Sequence, residues 1–112
     1  MKNKNVLITG AATRVGRAIA IHFAEKGWNV ALHYFRSSSK AKELKKIIEQ
    51  KFVKVALIKA DLKNPKQTEK IFLLAKKKLG NIDCLVNNAA LFEKDDILNF
   101  TVKSWNEHLN IN

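Results

Sequence analysis

One run near the amino terminus constrains this chain more than any other: residues 5–20, NVLITGAATRVGRAIA. Val6, Leu7 and Ile8 read as a buried parallel strand, and Val15, Ile19 and Phe23 recur at helical spacing as one face of a helix. Between them Gly10 allows a tight turn at the strand's carboxyl end. Gly16 allows the helix to lie close against the sheet and a ligand. Strand, glycine turn, helix is the order a dinucleotide phosphate site requires. The first N–H groups of the helix then point at a pyrophosphate, whose charge suits the positive end of the helix dipole. The plain rival is a strand–helix junction with two convenient glycines.

The rest of the chain repeats that alternation. A first helix is expected over 15–26, closed by Gly27, and a strand rich in β-forming residues over 28–34. Ser37, Ser38 and Ser39 are N-cap candidates for a second helix, whose Ala41, Leu44, Ile47 and Ile48 keep helical spacing. A third strand is expected over 52–58. Asn64-Pro65 then starts a third helix, with a capping side chain before a proline at the first helical position. Ile71, Phe72, Leu74, Ala75 and Leu79 form its apolar face and Gly80 closes it. A fourth strand follows over 82–87, and Thr101 could cap a further helix through Trp105 and Leu109. Four strands alternating with helices predict an α/β fold with a doubly wound parallel sheet. There is no repeat, low-complexity tract or internal linker.

The end of the second strand carries the next signal. In dinucleotide folds an acidic side chain about 20 residues past the glycine turn accepts hydrogen bonds from the adenosine ribose, selecting NAD. That distance beyond Gly16 falls on Arg36, and its surroundings, His33-Tyr34-Phe35-Arg36-Ser37, hold no carboxylate. An arginine fork and a serine hydroxyl suit a 2′-phosphate, so NADP(H) is the expected cofactor. An ordinary exposed loop arginine is the rival.

Thr9-Gly10-x-x-x-x-x-Gly16 resembles the cofactor loop of the short-chain dehydrogenase/reductase family, with Arg14 where the middle glycine usually stands. Arg14, together with the His-Tyr-x-Arg-Ser form, resembles the pteridine reductase branch. The resemblance spans the whole chain and implies a Rossmann-like fold with strand order 3-2-1-4. It implies cofactor binding by Gly10, Arg14, Val15, Gly16, Tyr34, Arg36 and Ser37. Asp61 would bond the adenine amino group, with the backbone N–H of Leu62 at a ring nitrogen, although a turn aspartate before Asn64-Pro65 is equally ordinary. Leu85-Val86-Asn87-Asn88-Ala89-Ala90 matches the family's Asn-Asn-Ala segment, so Asn88, Ala89 and Ala90 would approach the ribose and nicotinamide. The family usually has glycine or serine where Ala90 stands. Arg14 and Phe92 would meet the substrate, Phe92 by stacking on a pterin ring; a loop phenylalanine that packs down is the rival. The helix carrying Trp105 resembles the one leading to the family's catalytic asparagine, which maps to Asn112.

The family's chemistry is hydride transfer from the nicotinamide, with a tyrosine as proton donor, a lysine four residues after it and a serine on the substrate. Tyr34 is the only tyrosine here, and it lies at the adenosine end with no lysine at that spacing. The expectation is therefore the N-terminal part, 1–112, of a single NADP(H)-binding reductase domain, inactive alone. Its substrate would be a pterin or another carbonyl or imine compound, and the full-length family member a homo-oligomer. The alternative is a non-catalytic nucleotide-binding or regulatory module complete at this length.

Composition bears on the remaining classes. The net charge of +11 invites a nucleic-acid reading. However, eighteen of the 21 basic residues are lysines, mostly on the polar faces of expected helices, with no basic cluster interleaved with aromatics. No run approaches the roughly 18 apolar residues of a membrane span, and the amino terminus does not read as a signal peptide. The single cysteine, Cys84, forms no internal disulfide and fits a reducing cytoplasm. His22, His33 and His108 are too scattered for a metal site, and surface or core roles are expected of them.

Overall fold

The computed structural model describes residues 3–88. Four strands alternate with three helices: β1 Asn5–Thr9, α1 Arg14–Glu25, β2 Asn29–Tyr34, α2 Ser38–Glu49, β3 Val55–Lys59, α3 Pro65–Leu79 and β4 Cys84–Asn87. All pairings are parallel, in the order β3-β2-β1-β4. This is the expected doubly wound, Rossmann-like α/β sheet. The expected helix beyond Thr101 lies outside the described residues.

Side-chain alternation assigns the two faces. Leu7, Ala31 and Ile58 point to the layer formed by Ile71, Phe72 and Ala75 of α3. Val6, Ile8, Val30 and Leu32 point the other way, onto Ala20 and Ala24 of α1 and Leu44 and Ile48 of α2. Neighbours on a strand thus serve opposite cores, which is why β1 reads as an unbroken apolar run. Each large aliphatic side chain buried in this way contributes roughly 1.5–3 kcal/mol. No helix among the described residues is long and apolar enough to cross a membrane.

Amides close the amino-terminal end of the sheet. The Asn5 side chain donates to the carbonyls of Leu79 (3.1 Å) and Asn81 (2.8 Å). Asn29 donates to Asn5 Oδ1 at 2.9 Å and accepts from the Lys54 N–H at 2.8 Å. The opposite, carboxyl end is left for the turns that build the site.

Several expectations are corrected. α1 does not bury Val15, which is 59% exposed; it buries the small stripe Gly16, Ala20 and Ala24, with Ile19 and Phe23 partly covered. The third strand begins at Val55, not at 52. The N–H groups of Lys51 and Phe52 still bond back to Ile48 and Glu49 of the α2 terminus, and Phe52 takes a left-handed φ of 62°. Such a backbone turns the chain, and the phenylalanine is left in solvent. The fourth strand begins at Cys84, Ile82 serving the α3-side core ahead of it. In α3 the buried stripe is Thr68, Ile71, Phe72 and Ala75, leaving Leu74 on the exposed flank. Ser37 occupies the N-cap of α2, but its hydroxyl makes no capping bond. At α3 the Asn64 side chain accepts from the N–H groups of Lys66 (3.0 Å) and Gln67 (3.4 Å), ahead of Pro65.

Candidate functional site

The carboxyl ends of β1, β2 and β3 open onto one cleft, and the β1–α1 turn is its floor. Gly10 has φ 62°, a conformation L side chains rarely adopt. Thr13 caps α1: its hydroxyl donates to the Gly10 carbonyl at 2.8 Å and accepts from the Gly16 N–H at 3.1 Å. The Asn88 side chain reaches across from the end of β4 and donates to the Gly10 carbonyl and to Thr13 Oγ1, both at 3.1 Å. The Asn88 N–H bonds Thr9 Oγ1 at 3.0 Å, and Thr9 Oγ1 donates to Asn87 Oδ1 at 3.0 Å. Turn and fourth strand are thereby stitched together. A Cβ on Gly16 would press into the Gly10 carbonyl and lie 2.8 Å from both Ala11 Cα and Asn88 Nδ2. Only a glycine lets α1 start this close to the turn.

A cavity of about 650 Å³ lies over this floor. Of the predicted residues, Gly10, Arg14, Tyr34, Arg36, Ser37, Asp61 and Leu62 line it together. Val15 and Gly16 form the adjacent first turn of α1, with Val15 largely open to solvent, and Asn88 braces the turn from β4. Ala89, Ala90, Phe92 and Asn112 lie outside the described residues. The Arg36 guanidinium sits 5.3 Å over the Phe35 ring. Arg17 turns away from the cavity, toward Glu43 of α2 at 3.9 Å. Asp61 has turn work of its own: its Oδ1 accepts from the Lys63 N–H at 2.9 Å, and its N–H donates to Gln67 Oε1 at 2.8 Å.

The cavity also holds residues that sequence reasoning missed. Lys40 and Lys63 join Arg14 and Arg36, giving four cations against the single carboxylate of Asp61. Such a lining favours a polyanion. No spacing rule marks either lysine. Thr13 could have been found, because a threonine just before a helical pattern is an N-cap signature. His33 is 3% exposed and so takes the core role of the two expected of it, where it bridges Gly10 and Ala60. Burial holds its imidazole below the ordinary 6.5, partly offset by the bond to the Ala60 carbonyl.

Residues 4–112 match the short chain dehydrogenase family. This chain belongs to that family. The family consists of oxidoreductases that use NAD(P)(H). The chain is 31% identical over 110 residues to the 3-oxoacyl-(acyl-carrier-protein) reductase FabG of Staphylococcus epidermidis, covering 98% of this chain and 45% of that one. It is 36% identical over 104 residues to the uncharacterized oxidoreductase YhdF of Bacillus subtilis, covering 92% and 36%. A crystal structure of a short-chain dehydrogenase from Oenococcus oeni superposes with a TM-score of 0.83 at 30% identity, over 96% of this chain and 57% of that one. The short-chain dehydrogenase/reductase of Serratia marcescens superposes at 0.87 over 96% and 51%; at 24% identity it speaks to fold alone. The chain thus spans about half the length of these relatives, or less. Of these relatives one is named a 3-oxoacyl reductase, and none of the four is named a pteridine reductase.

Proposed function

We propose that this chain is the NADP(H)-binding part, residues 1–112, of a single-domain short-chain reductase that passes hydride to a carbonyl or imine substrate. The observation that carries the reading is the convergence of Arg14, Arg36 and Ser37 on the cavity above the Gly10 turn, with no carboxylate at the end of β2. The N–H groups at the start of α1 receive the pyrophosphate between Gly10, Val15 and Gly16. Arg36 and Ser37 hold the 2′-phosphate, with Arg14 and Tyr34 beside them. Asp61 and Leu62 take the adenine, and Asn88, Ala89 and Ala90 the ribose and nicotinamide. When bound, the cofactor supplies the hydride, and Asn112 belongs to the proton relay. The chain contains no Tyr-x-x-x-Lys, so it binds cofactor without turnover by itself.

Two pointers bear on substrate. Arg14, the Arg36-Ser37 pair and Phe92 favour a pterin, stacked on Phe92. Relatives named for 3-oxoacyl reduction favour a ketone. Assaying the full-length protein on both classes decides between them.

Arg36→Ala tests the cofactor assignment. Removing a charged hydrogen-bond partner should weaken NADPH binding by about ten- to a hundredfold, with NADH affinity unchanged. Equal loss for both nucleotides would show that Arg36 does not read the 2′-phosphate.

A further inference from the structure

Among the described residues His33 is the one buried titratable side chain lining the cleft, and the hydride chemistry gives it no task. It sits on β2, with Nδ1 3.0 Å from the Gly10 nitrogen and Nε2 2.9 Å from the Ala60 oxygen. Chemistry fixes its tautomer. A backbone N–H only donates, so Nδ1 must present a lone pair; a carbonyl only accepts, so Nε2 must carry the proton. The main chain repeats the tie, since the His33 carbonyl accepts from the Ala11 N–H at 2.9 Å and the Tyr34 carbonyl from the Ala60 N–H at 3.0 Å.

Gly10 and Ala60 each lie one residue beyond their strands, and both line the cavity. Gly10 opens the phosphate turn, and Ala60 precedes Asp61 and Leu62. One imidazole therefore links the floor of the cleft to the wall assigned to adenine. An apolar side chain could fill the space but would leave a buried donor and a buried acceptor unpaired.

We infer that His33 is a positioning residue of the cofactor cleft: its neutral imidazole, protonated on Nε2, clamps the glycine turn to the end of β3 and holds floor and adenine wall at the spacing a dinucleotide needs. The inference rests on the reading of this cleft as a dinucleotide site. Protonation breaks the clamp at one end, because an Nδ1–H would face the Gly10 N–H, donor against donor. The charged groups around the cleft oppose protonation too: Arg14 from α1, Arg36 and Lys40 before and within α2, and Lys63 after β3 outnumber Asp61, while β1 contributes no charge. A bound polyanion acts in the opposite direction. The 2′-phosphate itself titrates near pH 6. The comparison must therefore be with a variant that keeps the Gly10 bond and cannot titrate.

His33→Asn is that variant, as its amide oxygen can accept from the Gly10 N–H. NADPH is titrated into the wild-type chain and His33→Asn from pH 8 down through the titration of His33, which NMR of the imidazole nitrogens of the wild type locates. The expected result is an Nε2–H tautomer. Below the titration of His33, NADPH affinity should fall about tenfold further in the wild type than in His33→Asn, the order set by one lost buried hydrogen bond. An Nδ1–H tautomer, or parallel pH profiles in the two proteins, would overturn the inference. Absence of dinucleotide binding by the wild type at every pH would instead sink the cofactor reading, and the positioning role with it. Should His33→Asn fail to fold, the wild-type tautomer and the pH dependence of the Gly10 amide signal still decide: a Gly10 amide indifferent to imidazole protonation contradicts the clamp.

Discussion

At the scale of single residues, the site depends on contacts too close to tolerate an added atom. Gly16 packs against the Gly10 carbonyl, Ala11 and Asn88, and the first two are backbone that cannot swing aside. Gly16→Ala should lower stability by about 1–3 kcal/mol through overpacking and abolish nucleotide binding, as read by urea denaturation and by titration. A variant that melts and binds like the wild type would mean the turn is looser than its geometry implies. Arg36 was legible in the sequence because a parallel sheet brings strand carboxyl ends to one edge, so a count from the glycine turn reaches the same cleft. His33 was not legible as a bridge. Its partner Ala60 is 27 residues away, and no local pattern encodes that meeting.

At the scale of elements, legibility followed how local the determinants are. The start of α3 needs only Asn64 and Pro65, and both act as the sequence suggests. Asn64→Ala should destabilise the chain by about 1 kcal/mol, measured as a shift in urea midpoint, with NADPH affinity unchanged because the cap lies outside the cleft. No shift would mean that the first turn of α3 is held by tertiary packing alone. The start of β3 was misplaced because Phe52 and Val53 are apolar and β-forming, as a strand requires. What overrides them is the left-handed turn at Phe52 that ends α2, and pairing begins only at Val30 with Val55. Val15 was misassigned for a related reason. Helical spacing places it on an apolar face, but at the first turn of α1 that face has run past the core, and Gly16, Ala20 and Ala24 make the contact.

At the scale of the whole molecule, the sheet is closed at its amino end by asparagine amides and left at its carboxyl end with a cationic cleft over a glycine turn. The buried imidazole makes that architecture sensitive to pH. The folded value of His33 lies below 6.5, so as pH falls the unfolded chain takes up the proton first. The stability contribution is complete above about 6.5 and is lost as pH falls through the folded value. Urea midpoints of the wild type should decline across that window, and those of His33→Asn should decline less; equal slopes would contradict a buried neutral imidazole. The central claim is that this cleft binds NADP(H), and the most direct test is calorimetric titration of the chain with NADPH and, separately, NADH at one pH and salt concentration. Recognition of the 2′-phosphate by charged hydrogen bonds predicts NADPH binding at least about tenfold tighter, whereas equal affinities or tighter NADH binding would contradict the assignment.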